Sequence, residues 1–514
     1  MGKFSSKQSV PRVRTPIRTT GERALTYEGN LGYVNDAKGE LFRTAVANMV
    51  SEDTFYESGQ DRDNRFKGLV HQVTSEDPTW VAGFAPFLRD TMQMRSASVV
   101  LAAEYVAAGG PNGRKVVTSV LSRADEPAEI LAYWRQHYGC QIPAALKRGV
   151  ADAVQRLYNE RSALKYDGQS RAWRMGDVID VVHPKPKDEW QSDLYRWLLD
   201  TRHNREEVTI PDTLPVLRTR RTLEFEPVEN RRMWLKQPDS LAAAGYTWES
   251  LSGWLQGPMD AAAWEAIIPS MGYMALLRNL RNFDQAGIST KAQKYVIDKL
   301  SDPDEVAKSR QFPFRFLSAW QNTGGMTWGW ALETALDYST QNVPEFKGRT
   351  LVLVDTSASM SAPISARSSV KNYDIAAVIG ATIAKKSDVD LWGYASTWGR
   401  IPMKRGDSVL RVAEAVSKAE GRWDHGTNTF QALNATYDGQ DRVIIITDMQ
   451  AHPGKADTGI KCPIYSYDLG GYRVAHLPTE GNRYQFAGFT DAAFRMMALL
   501  EAHDHRASKW PWEI

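Results

Sequence analysis

The chain has 514 residues, with 63 lysines and arginines against 61 aspartates and glutamates, for a formal net charge of +2. A hydrophobic content of 42% with 24% charged residues excludes a wholly disordered chain, and the length exceeds one small domain. The near charge balance means that any nucleic-acid surface must come from local clustering of cations. The two cysteines, Cys140 and Cys462, are far apart in sequence, which rules out a disulfide framework or a CxxC metal site and fits a reducing, cytoplasmic setting. No run of about 18 apolar residues occurs, so no membrane span is expected.

The chain opens with MGKFSSKQSVPRVRTPIRTT, which has no apolar core and so is not a secretory signal. Lys3, Lys7, Arg12, Arg14 and Arg18 stand there without an acid, predicting a flexible basic arm over residues 1–20. The reading is open between a solvated tail and a contact to RNA phosphates. From about residue 38 to 340, within a domain of residues 21–344, the pattern then reads as helical. WVAGFAPFLRDTM, SASVVLAAEYVAA, AEILAYWRQHY and PAALKRGVADAVQRLYNE place apolar residues at i, i+3, i+4 and i+7. Short connectors rich in Pro, Gly, Asp or Ser separate them. Strand alternation is nearly absent, and the succession of helices predicts an α-solenoid of HEAT type, although no clean sequence period is present.

The pattern changes at about residue 345. RTLVLVDTSASM, DVDLWGYAS, DRVIIITDMQ and CPIYSYDLG read as buried strands. They alternate with helical stretches such as NYDIAAVIGATIAKKS and SVLRVAEAVSKAE. This predicts a doubly wound, mostly parallel sheet over residues 345–514, with any ligand at the carboxyl ends of the strands. Three polar elements fall at such ends or in loops: DTSAS (355–359), HGTNT (425–429) and ITDMQ (446–450). They offer Asp355, Ser357, Ser359, Thr427 and Asp448. These hard oxygen donors suit Mg²⁺, Ca²⁺ or Mn²⁺ rather than zinc. The alternation in D-x-S-x-S turns its three donors toward one spot. Read singly, the same residues are ordinary helix caps.

Together, in order and in an α/β context, the three elements resemble the metal-ion-dependent adhesion site of von Willebrand factor A domains. There a D-x-S-x-S motif, a threonine in a G-x-T loop and an aspartate in a T-D step form one site. The resemblance implies a divalent cation, with Mg²⁺ the expected ion, and an open coordination position that a partner's carboxylate fills. No general-base partner, Gly-rich phosphate loop or D-x-D motif accompanies the cluster, so binding rather than catalysis is expected. The alternative enzymatic reading is a metal-dependent nuclease or phosphatase built on Asp355 and Asp448. His425, at the start of the threonine loop, replaces a glycine of the family pattern and stands where it could add a hydrogen bond near the metal.

Within the helical part, residues 156–174 carry Arg156, Arg161, Lys165, Arg171 and Arg174, and residues 218–236 carry Arg218, Arg220, Arg221, Arg231, Arg232 and Lys236. Tyr158, Tyr166, Trp173 and Trp234 lie among these cations and could stack on unpaired bases. For any one cluster a solvated helix face is as good an explanation. LYNERSALKYDGQSRAWRMGDVIDVVHPKP (157–186), PSMGYMALLRNLRNF (269–283) and SRQFPFRFL (309–317) resemble the corresponding stretches of the Ro 60 kDa autoantigen family. In that family a von Willebrand A domain follows the helical TROVE module in the same order.

The resemblance implies a ring of HEAT-like repeats followed by a doubly wound α/β von Willebrand factor A domain. It implies a monomeric, non-enzymatic ribonucleoprotein core in RNA quality control or processing. Small noncoding Y-like RNA would lie on its outer basic surface, and single-stranded ends of misfolded RNA in its central hole. An exoribonuclease and an acidic protein ligand at the metal are the further partners it implies. The family's RNA-contacting positions fall on Lys165, on Arg171 or its neighbour Arg174, and on His183, which also reads as a helix cap before proline. Phe312 stands where the family pattern has a histidine. A metal-dependent protein scaffold without RNA is the alternative reading.

Overall fold

The computed structural model describes residues 13–514, apart from 48, 204–207, 324–325, 367, 405, 420 and 455–458. The chain divides into two compact units. One comprises Met1–Ala97, Arg310–Gln321 and Leu332–Ile514, and the other Ser98–Ser309 and Asn322–Ala331.

The first unit is organised on strands. Thr19–Leu25 (β1) and Leu31–Asn35 (β2) form an N-terminal hairpin. Arg349–Asp355 (β3), Asp388–Tyr394 (β4), Trp398–Arg400 (β5), Arg442–Thr447 (β6), Ile464–Asp468 (β7), Val474–Ala475 (β8) and Arg483–Ala487 (β9) follow. Six of them make one sheet in the order β5-β4-β3-β6-β7-β9, parallel except for the short edge strand β5. Every residue of β3 after Arg349 is buried, as are all of β6, β7 and β9. Strands covered on both faces read as continuous apolar runs, which is why RTLVLVD and RVIIIT stand out in the sequence. The helix Asn372–Lys386 covers one face and buries everything from Tyr373 to Ala384. Leu351, Leu353, Val443, Ile445, Phe430 and Leu433 pack together on another side.

The chain leaves β3 toward β4 on one side and later returns to β6 on the other. The strand order therefore reverses between β3 and β6. Parallel sheets open a crevice at such a point, outside the carboxyl ends of the strands. Asp355 ends β3 and Asp448 follows β6, so both carboxylates stand at that crevice.

The N-terminal residues depart from expectation. Residues 1–12 of the predicted arm lie outside the described residues. Residues 13–20 are packed rather than free: Val13, Thr15 and Ile17 are buried. Counting charges hid this alternation of inward residues. The hairpin is a second departure, because the segment carries strand structure where helix was expected. β2 pairs antiparallel with β8, aligning Tyr33 with Ala475, so β1, β2 and β8 form a small sheet. The helix Ala37–Val46 carries Arg43, fully buried, whose Nε donates to Asp468 Oδ2 at 2.7 Å at the end of β7. Near the C-terminus, Trp510 and Trp512 lie 5.1 Å from the Trp80 ring, and Trp512 lies 5.0 Å from Phe84. These long-range contacts explain why the first 97 residues fold with the α/β part, rather than with the helices that a boundary at 344/345 would group them with.

The second unit is helical. Ala144–Leu157 buries Leu146, Gly149, Val150, Ala153 and Val154, one stripe at helical spacing. It packs on Gly113–Val120 so closely that a Cβ on Gly149 would lie 2.7 Å from Val117 Cβ. Met175–Val182 and Glu189–Arg202 continue the succession of paired helices. Several elements are shorter than the sequence suggested: Glu160–Tyr166 has seven residues and Val228–Arg231 four. Among the described residues, no helix is long and apolar enough to cross a membrane.

Candidate metal centre and nucleic-acid interface

The structure brings the five predicted metal ligands together. Asp355, Ser357, Ser359, Thr427 and Asp448 are all buried, none more than 2% exposed. After β3 the chain turns so that Ser357 N–H donates to Asp355 Oδ1 at 2.9 Å, and a 3₁₀ turn, Ala358–Ser361, sets Ser357 Oγ 3.3 Å from Ser359 Oγ. Ala358 N–H donates to the His425 carbonyl at 3.0 Å, which fastens the threonine loop to this turn. In that loop Gly426 is required by close approach: a Cβ there would lie 2.8 Å from Ser396 Oγ and 2.9 Å from His452 Nε2. Met449, just after Asp448, is held at φ 66°, in the left-handed region. The backbone there doubles back, and Gln450 N–H donates to Asp448 Oδ1 at 3.1 Å.

Two further residues belong to the site and were not singled out by the sequence. Thr447 Oγ1 donates to Asp355 Oδ2 at 2.6 Å, and Tyr394 OH donates to the same oxygen at 3.3 Å. In the sequence Thr447 stands out only as part of the T-D step, and Tyr394 only as a strand residue.

Two carboxylates thus share a buried crevice. Burial raises the pKa of Asp355, and its hydrogen bonds to Ser357 and Thr447 offset only part of this. Asp448 is pushed well above the ordinary carboxylate range, first by burial and then by the charge of Asp355. Its Oδ2 is buried with no hydrogen-bond partner among the described residues. An orphaned carboxylate oxygen beside a second carboxylate and three hydroxyls fits a hard divalent cation, which would relieve both the repulsion and the missing hydrogen bond. Among the described residues no three His, Cys, Asp or Glu side chains gather as a metal site, consistent with a donor set made mostly of hydroxyls. His425 is exposed, with its ring beside Gly421.

The predicted RNA residues divide. Lys165, Arg171 and His183 are exposed. Lys165, in the last turn of Glu160–Tyr166, lies 5.2 Å from the Tyr166 ring centre. His183 caps Met175–Val182 at φ 46°, so its cap role and its exposure coexist. Arg174 is different. Its Nη2 donates to Asp167 Oδ2 at 2.5 Å with both side chains nearly buried, and Met175 N–H donates to the other Asp167 oxygen at 2.6 Å. Arg174 therefore locks a loop onto a helix start. Tyr158 is buried, which removes it as a stacking surface. In the 218–236 cluster, Arg218, Arg220 and Arg232 are paired with Asp212, Glu224 and Asp260. Arg231 donates to the carbonyls of Glu226 and Trp254. Two exposed arginines outside either cluster stand over the half-buried aromatics: Arg123, whose guanidinium also pairs with Asp125 at 3.0 Å, lies 5.6 Å from the Tyr166 ring, and Arg135 lies 5.8 Å from Trp173. They lie 43 and 38 residues upstream of those rings, so local clustering could not reveal them.

A helical array and a parallel α/β sheet with a carboxylate–hydroxyl cluster at its switch point define a two-part protein, a repeat module fused to a Rossmann-like domain. Comparison with known proteins narrows the class. The TROVE domain model matches residues 228–327, a span that includes two of the three Ro-like stretches, 269–283 and 309–317, but not 157–186. Telomerase protein component 1 of Mus musculus is 39% identical over 94 residues, and that of Rattus norvegicus 41%. The match covers 17% of this chain and only 3% of either relative. A crystal structure of the Deinococcus radiodurans Ro (Rsr) protein has the same fold, with a TM-score of 0.57 and 16% identity over 90% of this chain and all of that one. The chain thus carries a segment similar to the TROVE domain and shares the fold of the Ro protein.

Proposed function

We propose that the protein is a non-enzymatic RNA-binding core. A small structured, Y-like RNA lies across the surface marked by Lys165, Arg171 and His183, and loose single-stranded RNA ends enter an opening within the helical module. The observation that carries this reading is the pairing of exposed cations with half-buried rings in one stretch: Lys165 and Arg123 beside Tyr166, and Arg135 over Trp173. Such a surface offers charge to phosphate and a π-face to unpaired bases, which is what single-stranded or looped RNA presents. The TROVE segment and the Ro-like fold support it. In this reading the α/β part holds Mg²⁺ through Asp355, Ser357, Ser359, Thr427 and Asp448, and the cation supplies charge neutralisation for docking. An RNA-tethered exoribonuclease is a partner of this kind of core, and the setting is cytoplasmic.

The test is the spectrum of the protein purified from its native cell. An absorbance maximum near 260 nm that ribonuclease removes, followed by crosslinking to Tyr166 or Trp173 peptides, is expected. A clean protein spectrum with no crosslinked RNA would favour a protein scaffold. Cleavage of RNA on addition of Mg²⁺, lost in Asp355→Ala, would instead make it a nuclease.

A further inference from the structure

The turn between β1 and β2 lies on the loop that carries Asp448. Thr26 Oγ1 donates to the Ala451 carbonyl at 2.9 Å, and Tyr27 N–H donates to Gln450 Oε1 at 2.9 Å. These bonds seat Glu28 at the tip. One oxygen of Glu28, Oε1, accepts a hydrogen bond from Tyr56 OH, and the other lies 3.2 Å from His452 Nδ1. His452 N–H in turn donates to the Thr427 carbonyl at 2.9 Å. The Tyr56 ring is stacked on Tyr27 with centres 4.9 Å apart and meets Tyr472 edge-on at 5.6 Å. Ser359 and the Asp448 carboxylate are both close enough to act on the Tyr56 hydroxyl. Three of the five cluster residues, Ser359, Asp448 and Thr427, therefore have neighbours in one network that ends on Glu28. The orphaned Asp448 Oδ2 is the independent sign that a cation belongs beneath it.

We propose that Tyr56 and Glu28 are the metal site's internal ligand pair, occupying the face that would otherwise receive an acidic partner. The inference rests on the metal reading of the cluster. A hard cation held by two carboxylates and three hydroxyls keeps positions for further oxygens. A phenol that donates its proton to Glu28 turns its lone pairs toward the cation. Glu28 then stands behind it as the balancing negative charge, where a partner's carboxylate would bring its own. The Tyr27–Tyr56 stack, with Tyr472 edge-on to it, holds this closure from one side. On the other, the Glu28 and His452 side chains remain 22% and 37% exposed, so solvent reaches the outer side of the pair. An acid from outside gains the metal's open position only when Tyr56 or Glu28 is displaced.

The test uses the full chain with Mn²⁺ as probe, reading the water ligands of the bound ion by water-proton relaxation and then titrating sodium acetate. Wild type should bind Mn²⁺ with few exchangeable waters, and acetate should leave the signal unchanged. Tyr56→Phe and Glu28→Gln should each raise the relaxation enhancement by the contribution of an added water, and acetate should then lower it. If wild type is already as hydrated as both variants and acetate quenches all three alike, the internal ligand pair is wrong while the metal site stands. If wild type binds no Mn²⁺, the metal reading falls and the pair with it.

Discussion

At the scale of single residues, the buried carboxylates make the clearest demand. Asp448 stands in an environment that opposes its charge, and replacing it with asparagine removes that cost together with one of the two carboxylates proposed to hold the metal. Asp448→Asn should therefore leave the metal-free protein at least as stable as wild type but abolish stabilisation by Mg²⁺. For wild type that stabilisation is about 2.7 kcal/mol at a hundredfold excess over Kd. Thermal melts with and without Mg²⁺ check it. His476 makes a separate prediction. It is fully buried against Phe430, and burial lowers its pKa to about 4. The unfolded chain protonates this histidine at about 6.5 and the folded one does not. Its contribution is thus complete above that pH and is lost as pH falls from 6.5 toward 4, by roughly 3 kcal/mol in all. Urea midpoints across that window should fall in wild type and fall less in His476→Leu.

At the scale of elements, the strands that carry the buried carboxylates of the candidate metal centre were legible because they are buried on both faces and end on or just before those carboxylates. β3 and β6 need little tertiary information to be found. The hairpin, β8 and β9 were not legible. TTGERAL has a mostly exposed burial pattern, VA is two residues long, and RYQFA alternates polar residues that are nonetheless buried. Gln485 illustrates why: its amide nitrogen donates to the Leu477 carbonyl across a loop, and its oxygen accepts from Asn35, far away in sequence. Arg43 is the same lesson in charge. It looks like a solvated helix arginine, yet it pairs with Asp468 at full burial and also donates to Asn35 and the Tyr472 carbonyl. Arg43→Ala would strand the Asp468 carboxylate in the core and should cost roughly 3–5 kcal/mol, measured by denaturant unfolding. A surface arginine such as Arg171 replaced in the same way should change stability by no more than about 0.5 kcal/mol.

At the scale of the whole molecule, the domain plan read from composition placed a boundary at residue 345, and the compact units do not follow it. The α/β sheet recruits residues 13–97 through the hairpin, Arg43 and the Trp510–Trp512 cluster. A fragment of residues 345–514 should therefore aggregate or melt without a sharp transition, while the full chain melts cooperatively. Circular dichroism of the two decides it. The proposed RNA surface was legible only in part, because sequence shows which cations are near each other along the chain but not which are already paired. Arg174 is committed to Asp167, whereas Lys165 and Arg171 make no ion pair among the described residues. The central claim, that the protein binds RNA through this exposed stretch, is tested most directly by titrating a labelled structured RNA against the full chain across a range of salt. The account predicts that affinity falls linearly with the logarithm of salt concentration, and that Lys165→Glu combined with Arg171→Glu weakens binding at least about tenfold and flattens the slope without lowering the melting temperature. Wild-type affinity in that double variant, or binding that does not respond to salt, would contradict it.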